Sequence, residues 1–494
     1  MRSKLVYIAA ALCMLLLCLA LQGLEAKTGP MRVHQHRVSP AAQTASAEAE
    51  EAGFRTHLPI VRLTTGGREI PGAPVLEDGK FAGYATAENG ATAITAEFAL
   101  IDSGSGANAP EDRPAVSSLA TVRYRGNSSR FFDKKSYSIH LVTEQGLENP
   151  LALSGMAAHD EWVLNGPFLD RTLLRNYLSM NIAGEIMDSA PNVRYCELFL
   201  DGAYQGLYLL MESVSRGENR INIAKPGRNS SVTGYIVRFD RADKGDHELN
   251  NFTRYTFRAE VSALDVRYPG KTLINEARMH YIEQDLSHIE KVLYSSELSD
   301  SKTGAAKYLD YRAFAQYFVI NEFFRNVDAG RFSTYYFKEA RGKLKPCVWD
   351  FNNACDNYID YIWDETGFSM QNAPWFGALL RDRHFVATVV ETYRTLRKEV
   401  LSDAYLMQYM DETLAWLGDA PARNYGVWGW VFDLNHHNGM TYLTPAERNY
   451  ESHDEAVQQL RDFLTARGAW LDAHIDALFQ YCHPSKNTAG GDGA

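Results

Sequence analysis

Two aspartates, Asp328 and Asp350, stand at the two ends of a predicted β-hairpin near the middle of this chain. Residues 333–337 are rich in β-branched and aromatic types, a turn falls at 341–342, and 344–349 return as an apolar run. In an antiparallel hairpin the start of one strand lies beside the end of the other, so both carboxylates should lie at one end of a sheet. Neighbouring carboxylates repel unless a cation lies between them or one accepts a proton. The pair therefore predicts a metal-assisted transfer site, with strand or turn capping as the alternative.

Several side-chain oxygens follow the second aspartate. They belong to Asn352, Asn353, Asp356 and Asn357. Hard cations such as Mg²⁺ are held by one or two carboxylates together with substrate phosphates, so we expect Asp350 and Asn352 to be metal ligands. Asp328 would then accept a proton from an incoming hydroxyl, or orient that hydroxyl. A calcium site is the main alternative, although the spacing does not match the regular twelve-residue calcium loop.

A second group of residues has the composition of a phosphate-binding turn. Arg125, Gly126 and Asn127 lie between two predicted strands, where backbone N–H groups can bind phosphate oxygens. Lys134 and Lys135 begin the returning strand, and a lysine there adds a compact positive charge. Turn glycines and surface lysines are common, so an ordinary surface turn is the alternative.

Glu212 and one helix complete the candidate residues. Glu212 ends a predicted strand, where its carboxylate could bond a ribose or simply finish the strand. The helix begins near Asp170 and carries Arg175, Asn176 and Glu185. Glu185 is a candidate partner for the strand lysine, with a solvated position as the alternative. Arg175 and Asn176 are expected to tie the helix to a neighbouring strand or to a phosphate.

The elements that position these residues divide the chain into two folded parts. Residues 58–214 contain short strands and one prominent helix, whereas 215–482 carry the hairpin and are otherwise mostly helical. We expect strands at 58–63, 92–100, 120–124, 136–141 and 234–239, a hairpin at 195–213, and helices at 275–293, 308–325, 376–400 and 454–479. This pattern predicts an α+β fold with a strand-rich N-terminal lobe, a larger helical C-terminal lobe and a ligand-binding cleft between them. Residues 27–57 and 483–494 are predicted to be a flexible linker and tail.

The N-terminus has the composition of an export signal. Arg2 and Lys4 precede an apolar run over residues 5–21, and cleavage after Ala26 is expected. The run is long for a cleaved signal, so an uncleaved membrane anchor is the alternative. Residues 1–26 therefore predict a secreted or cell-surface protein, with the membrane as a partner only if this segment stays uncleaved.

Composition limits the partners of the folded part. The chain has 494 residues, 45% of them hydrophobic, which indicates a globular protein with a large core. Its 50 basic and 61 acidic residues give a net charge of −11, which argues against nucleic acid as a partner. Four cysteines lie beyond the apolar run, and two of them, Cys347 and Cys355, bracket Asp350. A bridge between this pair and buried free thiols are both consistent with the sequence.

Four segments in a fixed order resemble a known family. They are RGNSSRFFDKKSYSIHL, DRTLLRNYLSMNIAGEIMDSAP, YCELFLDGAYQGLYLLMES, and NVD followed by VWDFNN. Together, across roughly residues 58–480, they are similar to the spore-coat protein H (CotH) kinase family, an atypical branch of the protein-kinase-like fold. The order of the segments makes a chance match improbable.

The resemblance implies a two-lobed, kinase-like fold and transfer of the γ-phosphoryl group of ATP to Ser or Thr hydroxyls of exported or surface-layer proteins. Mg²⁺ would be the metal, with Mn²⁺ as a substitute. By motif, Lys135 or Lys134 would contact the nucleotide phosphates, Asp328 would be the catalytic aspartate and Asp350 the metal-binding one. Phosphoryl transfer depends mainly on positioning and on neutralising phosphate charge, which agrees with these residue types.

Two positions depart from the family pattern. Ser333 stands where members often have Asn, and Asn352 stands where members often have a second Asp. A neutral oxygen can still bind Mg²⁺, but one negative charge is lost there. A weak or inactive kinase-like scaffold on the cell surface is therefore the alternative function, and a calcium-stabilised surface domain is a third.

Overall fold

The computed structural model describes residues 32–39, 53–104, 106–241, 247–256, 263–436 and 441–482. The predicted signal or anchor segment 1–26 and the tail 483–494 lie outside these residues. Among the described residues, no helix is both long enough and apolar enough to cross a membrane. The fold is a mixture of 34% helix and 23% strand, which confirms the predicted α+β class.

The strands fall into one large barrel and three smaller sheets. In chain order they are β1 (Ile60–Thr64), β2 (Pro74–Glu77), β3 (Lys80–Tyr84), β4 (Ile94–Ile101), β5 (Val116–Tyr124), β6 (Tyr137–Val142), β7 (Leu151–Leu153), β8 (Met156–His159), β9 (Glu161–Asn165), β10 (Val193–Leu200), β11 (Ala203–Glu212), β12 (Tyr235–Asp240), β13 (Ala263–Tyr268), β14 (Thr334–Lys338) and β15 (Lys345–Cys347).

Seven strands close into a barrel in the order β1-β10-β11-β9-β6-β5-β4. Neighbours are antiparallel except β1 and β10, which run parallel. Alternate residues of β4, such as Ala96 and Phe98, fill the barrel interior, whereas Thr95 and Glu97 face solvent. This period of two is why the sequence forms a strand there. Closure leaves the barrel without an exposed edge strand.

The predicted Asp-framed hairpin is present as β14 and β15, which pair Tyr335 with Cys347 and Phe337 with Lys345. It belongs to a four-stranded sheet of order β13-β12-β14-β15. Cys347 and Cys355 are both buried free thiols, so the bridge considered from the sequence is not formed.

Most of the helices lie in the second part of the chain. In chain order they are α1 (Gln35–Val38), α2 (Arg175–Ile186), α3 (Phe252–Thr256), α4 (Glu276–Leu293), α5 (Tyr311–Phe323), α6 (Pro374–Leu379), α7 (Arg383–Leu396), α8 (Asp403–Leu417), α9 (Ala420–Trp428) and α10 (His453–His474). The single helix predicted over 376–400 is instead two, because Asp382 caps α7 by accepting from the His384 N–H. Helix α8 lies in the C-terminal stretch that was expected to be helical, although no bounds were predicted for it.

One stretch of the predicted linker 27–57 is part of the folded domain. Residues 32–39 contact α2, β10 and α8 through hydrogen bonds of their polar side chains. A prediction from composition misses such a segment, because polar residues without apolar periodicity indicate a linker only when their hydrogen bonds go to water.

Candidate active site

Asp328 and Asp350 lie at the same end of the second sheet. Asp328 is in the turn between α5 and β14, where its carbonyl accepts from the N–H groups of Arg331 and Phe332 at 3.1 and 2.8 Å. Asp350 follows β15 in a left-handed backbone conformation with φ 58°. Both side chains are half-buried. The antiparallel pairing of β14 and β15 thus brings the two carboxylates to one end of the sheet, as predicted from the sequence.

Each aspartate keeps one carboxylate oxygen free. Asn353 donates from Nδ2 to Oδ2 of Asp328 at 2.7 Å, and Asn352 donates from Nδ2 to Oδ1 of Asp350 at 2.6 Å. Within the described residues, Oδ1 of Asp328 and Oδ2 of Asp350 accept no hydrogen bond. Two free oxygens of ionisable carboxylates form the kind of donor set that fits a hard divalent cation.

The electrostatics of the pair favour a cation or a proton. Burial raises the pKa of Asp328, against the opposing effects of the Asn353 hydrogen bond and the Arg241 guanidinium. Burial also raises the pKa of Asp350, and repulsion from Asp328 adds to this rise. Both carboxylates are therefore better proton acceptors than exposed aspartates, and positive charge between them would relieve the repulsion.

Helix α2 holds the loop that follows Asp350. Oδ1 of Asn176 accepts from the N–H of Phe351 at 2.7 Å, and its Nδ2 donates to Oδ1 of Asn352 at 2.7 Å and to Oδ1 of Asn165 at 3.2 Å. These bonds fix the orientation of the Asn352 amide. Its oxygen is already bonded to Asn176, so Asn352 positions Asp350 rather than presenting a free oxygen to a metal.

Arg175 holds the same loop at Ala354 and Cys355. Its Nε donates to the Ala354 carbonyl at 3.0 Å and its Nη2 to the Cys355 carbonyl at 3.2 Å, while Nη1 pairs with Asp170 at 2.8 Å. The guanidinium is almost fully buried. Of the two roles considered for Arg175 and Asn176, tying the helix to neighbouring protein is the one the structure shows.

Two arginines provide positive charge near the pair. Arg125 lies 5.1 Å from the ring centroid of Trp349 and lowers the pKa of Asp350. Arg241 lies 3.8 Å from the ring centroid of Phe332 and lowers the pKa of Asp328. Neither guanidinium donates a hydrogen bond within the described part of the chain, so both are available to an anionic ligand.

Arg241 was missed by sequence reasoning, although a signal for it existed. It directly follows β12, whose Phe239 pairs with Thr334 at the start of β14. If the predicted strand 234–239 had been paired with the hairpin, Arg241 would have fallen beside Asp328.

The predicted phosphate-binding turn lies next to this cluster, connected through Arg125. Gly126 and Asn127 are exposed, and Gly126 has φ +99°. A Cβ at Gly126 would lie 1.8 Å from Oγ of Ser129, so this tight turn requires glycine. Its exposed backbone is compatible with an approaching phosphate.

The two lysines after this turn bond to other parts of the protein. Lys134 is 1% exposed, and its Nζ donates to the Leu207 carbonyl at 2.7 Å and to Oδ1 of Asn424 at 2.6 Å. Burial lowers the pKa of Lys134 to about 7. Lys135 is half-buried and donates to the Arg130 carbonyl at 2.8 Å. Lys134 therefore joins the barrel to α9, while Arg125 is the cation beside Asp350.

Comparison with known proteins identifies the family. The family model described as CotH kinase protein matches residues 122–471, from β5 to α10. This chain belongs to the CotH kinase protein family. It is also 23% identical over 301 residues to the inner spore coat protein H of Bacillus subtilis (strain 168), a match that covers 59% of this chain and 73% of that protein. The resemblance inferred from the four segments is thereby confirmed, and the matched range contains both aspartates and both arginines.

Two glutamates of this CotH-family chain bond to groups other than the two aspartates. Glu212 is buried, and its Oε2 accepts from the N–H and the Nδ2 of Asn192 at 2.8 and 2.9 Å. Glu185 accepts from the Tyr405 hydroxyl at 2.6 Å and lies 3.2 Å from Nε2 of His34. Glu185 thus contacts α8 and the N-terminal segment, where sequence reasoning offered a strand lysine or solvent.

Proposed function

We propose that this CotH-family chain is a two-lobed, kinase-like phosphotransferase acting on Ser or Thr hydroxyls of proteins. The bond between the γ-phosphorus of ATP and its bridging oxygen breaks, a bond from that phosphorus to the hydroxyl oxygen forms, and the hydroxyl proton leaves. The proposal is carried by one observation. Two partly buried carboxylates, Asp328 and Asp350, each keep a free oxygen beside an arginine whose guanidinium makes no hydrogen bond within the described residues.

Asp328 is suited to receive the hydroxyl proton. Its raised pKa brings it closer to the range in which a carboxylate is an effective general base. The hydrogen bond from Asn353 fixes Oδ2 and leaves Oδ1 for the acceptor. The arginine beside it, Arg241, opposes this rise in the pKa of Asp328 and adds positive charge where phosphate charge spreads during transfer.

Asp350 and Arg125 are suited to bind the nucleotide phosphates. Asp350 would hold Mg²⁺, or Mn²⁺ in its place, and the bound ion would neutralise charge on the phosphate oxygens. Arg125 can donate paired N–H groups to phosphate, which lysine cannot do. The exposed N–H groups of Gly126 and Asn127 would complete the phosphate site.

The name of the Bacillus subtilis relative supports a proposal for where the reaction takes place. The Bacillus subtilis protein is named as an inner spore coat protein. We infer that this chain also acts on exported or coat-associated proteins. A compartment supplied with ATP is then required.

Transfer of label from γ-labelled ATP tests the proposal. The full chain is incubated with Mg²⁺ and its autophosphorylation is measured, beside Asp328→Asn, Asp350→Asn and the matched control Asp360→Asn on the exposed surface. Label on the wild type and the control, lost in both site variants, supports the phosphotransferase.

Thermal shifts separate the alternatives. If the wild type incorporates no label but ATP with Mg²⁺ raises its melting temperature, the chain is a nucleotide-binding scaffold. If only Ca²⁺ raises the melting temperature, the chain is a calcium-stabilised surface domain, and the proposal is wrong.

A further inference from the structure

Residues 32–39, the N-terminal strap, occupy a groove between α2, β10 and α8. Most of their side chains form hydrogen bonds with groups that line this groove. His34, Gln35 and His36 are buried in it. The contacts are sequence-distant, since Arg32 bonds residues about 150 positions later in the chain. A segment bound in this way behaves as a peptide ligand joined to its own receptor.

Arg32 is the anchor of the strap. Its Nε donates to Oδ1 of Asn181 at 2.9 Å, and its Nη atoms donate to the carbonyls of Met180, Ala190 and Pro191 at 3.1, 3.1 and 2.7 Å. Met180 and Asn181 lie at the middle of α2, and the guanidinium also approaches Gly184 near the end of the helix. A positive charge near the C-terminal end of a helix also interacts favourably with the helix dipole.

Gly184 makes room for this anchor. A Cβ at Gly184 would lie 2.6 Å from Cδ and Nε of Arg32, closer than real Cβ contacts. Glycine inside a helix is otherwise unfavourable relative to alanine. The close approach of Arg32 gives a physical reason for a glycine at this position of α2.

Gln35 bonds a part of strand β10 that has no hydrogen bonds from β1. Its side-chain amide donates to the Tyr195 carbonyl at 3.1 Å and accepts from the Tyr195 N–H at 2.7 Å. Strand β1 pairs with β10 only from Glu197 onward, so Tyr195 lies beyond its reach. The Gln35 amide thus takes the place of a neighbouring strand at this position.

The rest of the strap joins α2 to α8. Nδ1 atoms of His34 and His36 lie 2.9 Å from the hydroxyls of Tyr409 and Tyr177, on α8 and α2 respectively. Arg37 donates to Glu412 at 3.0 Å and lies 5.0 Å from the ring centroid of Tyr409. Removing the strap would leave these groups on both helices without their partners.

Helix α2 connects this groove to the aspartates. Its middle binds Arg32, while Arg175 and Asn176 at its start hold the loop after Asp350. We propose that the strap is a docking segment that fixes α2 and thereby positions Asp350. The docking rests on the contacts alone, whereas its effect on turnover rests on the proposed phosphotransferase function.

A double-mutant cycle on the full chain tests the docking. Gly184→Ala should lower the melting temperature in the wild type, because the new methyl group displaces Arg32. In an Arg32→Ala background the same substitution should raise the melting temperature, because only the helix propensity of alanine remains. If Gly184→Ala raises the melting temperature in both backgrounds, the strap does not occupy this groove.

The effect on Asp350 has its own measurements. In Arg32→Ala, amide exchange of the segment 349–356 should become faster and kcat should fall several-fold at an unchanged KM for ATP. The matched control is Arg341→Ala in the exposed hairpin turn, which should change neither. Unchanged exchange in Arg32→Ala would refute the coupling. If the wild type itself transfers no phosphate, the proposed function fails while the melting and exchange results still decide the docking.

Discussion

Asn352→Asp is the most informative single substitution, because it places a second acidic residue beside Asp350, where the family resemblance leads us to expect one. In the present chain the Asn352 amide donates to Oδ1 of Asp350 at 2.6 Å. The substitution replaces that donor with a second carboxylate. Asn176 still donates to position 352, so the new side chain keeps one partner.

The cost can be worked from this geometry. Losing a hydrogen bond to a charged group costs about 1.5–3 kcal/mol. Two carboxylate oxygens about 3 Å apart repel by roughly 5 kcal/mol at an effective dielectric constant of about 20. Protonation limits the repulsion, because holding a proton on an ordinary carboxyl at neutral pH costs about 4 kcal/mol. We therefore expect Asn352→Asp to lose about 3–5 kcal/mol of unfolding free energy without divalent cation.

The loss should depend on pH and on Mg²⁺. Repulsion raises the pKa of the pair in the folded state, so the penalty is full at neutral pH and disappears as pH falls to about 4, the ordinary pKa of an unfolded aspartate. Mg²⁺ that binds only the folded pair should restore stability by mass action, and more so in the variant than in the wild type.

Urea unfolding of the full chain measures these effects, in chelator and in millimolar Mg²⁺. Asn89→Asp, an exposed substitution with the same charge change, is the matched control and should lose little stability. Equal stability of Asn352→Asp and wild type in chelator at neutral pH would refute the assigned amide orientation. Equal effects of Mg²⁺ on both chains would refute the cation site.

Three further substitutions test single residues of the site. Arg125→Gln should weaken ATP binding by calorimetry about tenfold or more at an unchanged melting temperature, since its guanidinium makes no hydrogen bond in the described residues; unchanged affinity would exclude Arg125 from the phosphate site. Lys134→Met should keep the KM for ATP and lose the stability that wild type gains between about pH 7 and 10.5, because folding lowers the Lys134 pKa to about 7 and the unfolded chain binds the extra proton. A changed KM would return Lys134 to the nucleotide site. Arg241→Gln should shift the acid limb of kcat/KM to higher pH, because Arg241 lowers the pKa of the Asp328 base; an unmoved limb would contradict that role.

Strong local patterns were sufficient to predict many of the elements. The hairpin β14–β15, the alternating strand β4 and helix α4 with its Asn275 cap all follow from residues close together in the chain. Strand β9 was missed because it is short and mostly buried, so it shows no clear alternation. Strand β13 was missed for the same reason.

The sequence by itself determined that Asp328 and Asp350 share one end of a sheet, because a hairpin closes over a few residues. It also determined the family, through the order of four segments. Only the tertiary structure decided that Arg125 and Arg241 lie beside the pair while Lys134 bonds Asn424. Which side chains become neighbours here depends on packing between elements far apart in the chain, and local sequence patterns do not encode that packing.

The role of Asn352 was decided in the same way. From the sequence it is an oxygen ligand that lacks a charge. In the fold it is a donor to Asp350, because Asn176 on α2, 176 positions earlier, occupies its oxygen. Whether an amide binds a metal or positions a neighbouring carboxylate depends on which groups surround it, and only the assembled barrel, helix and sheet supply those groups.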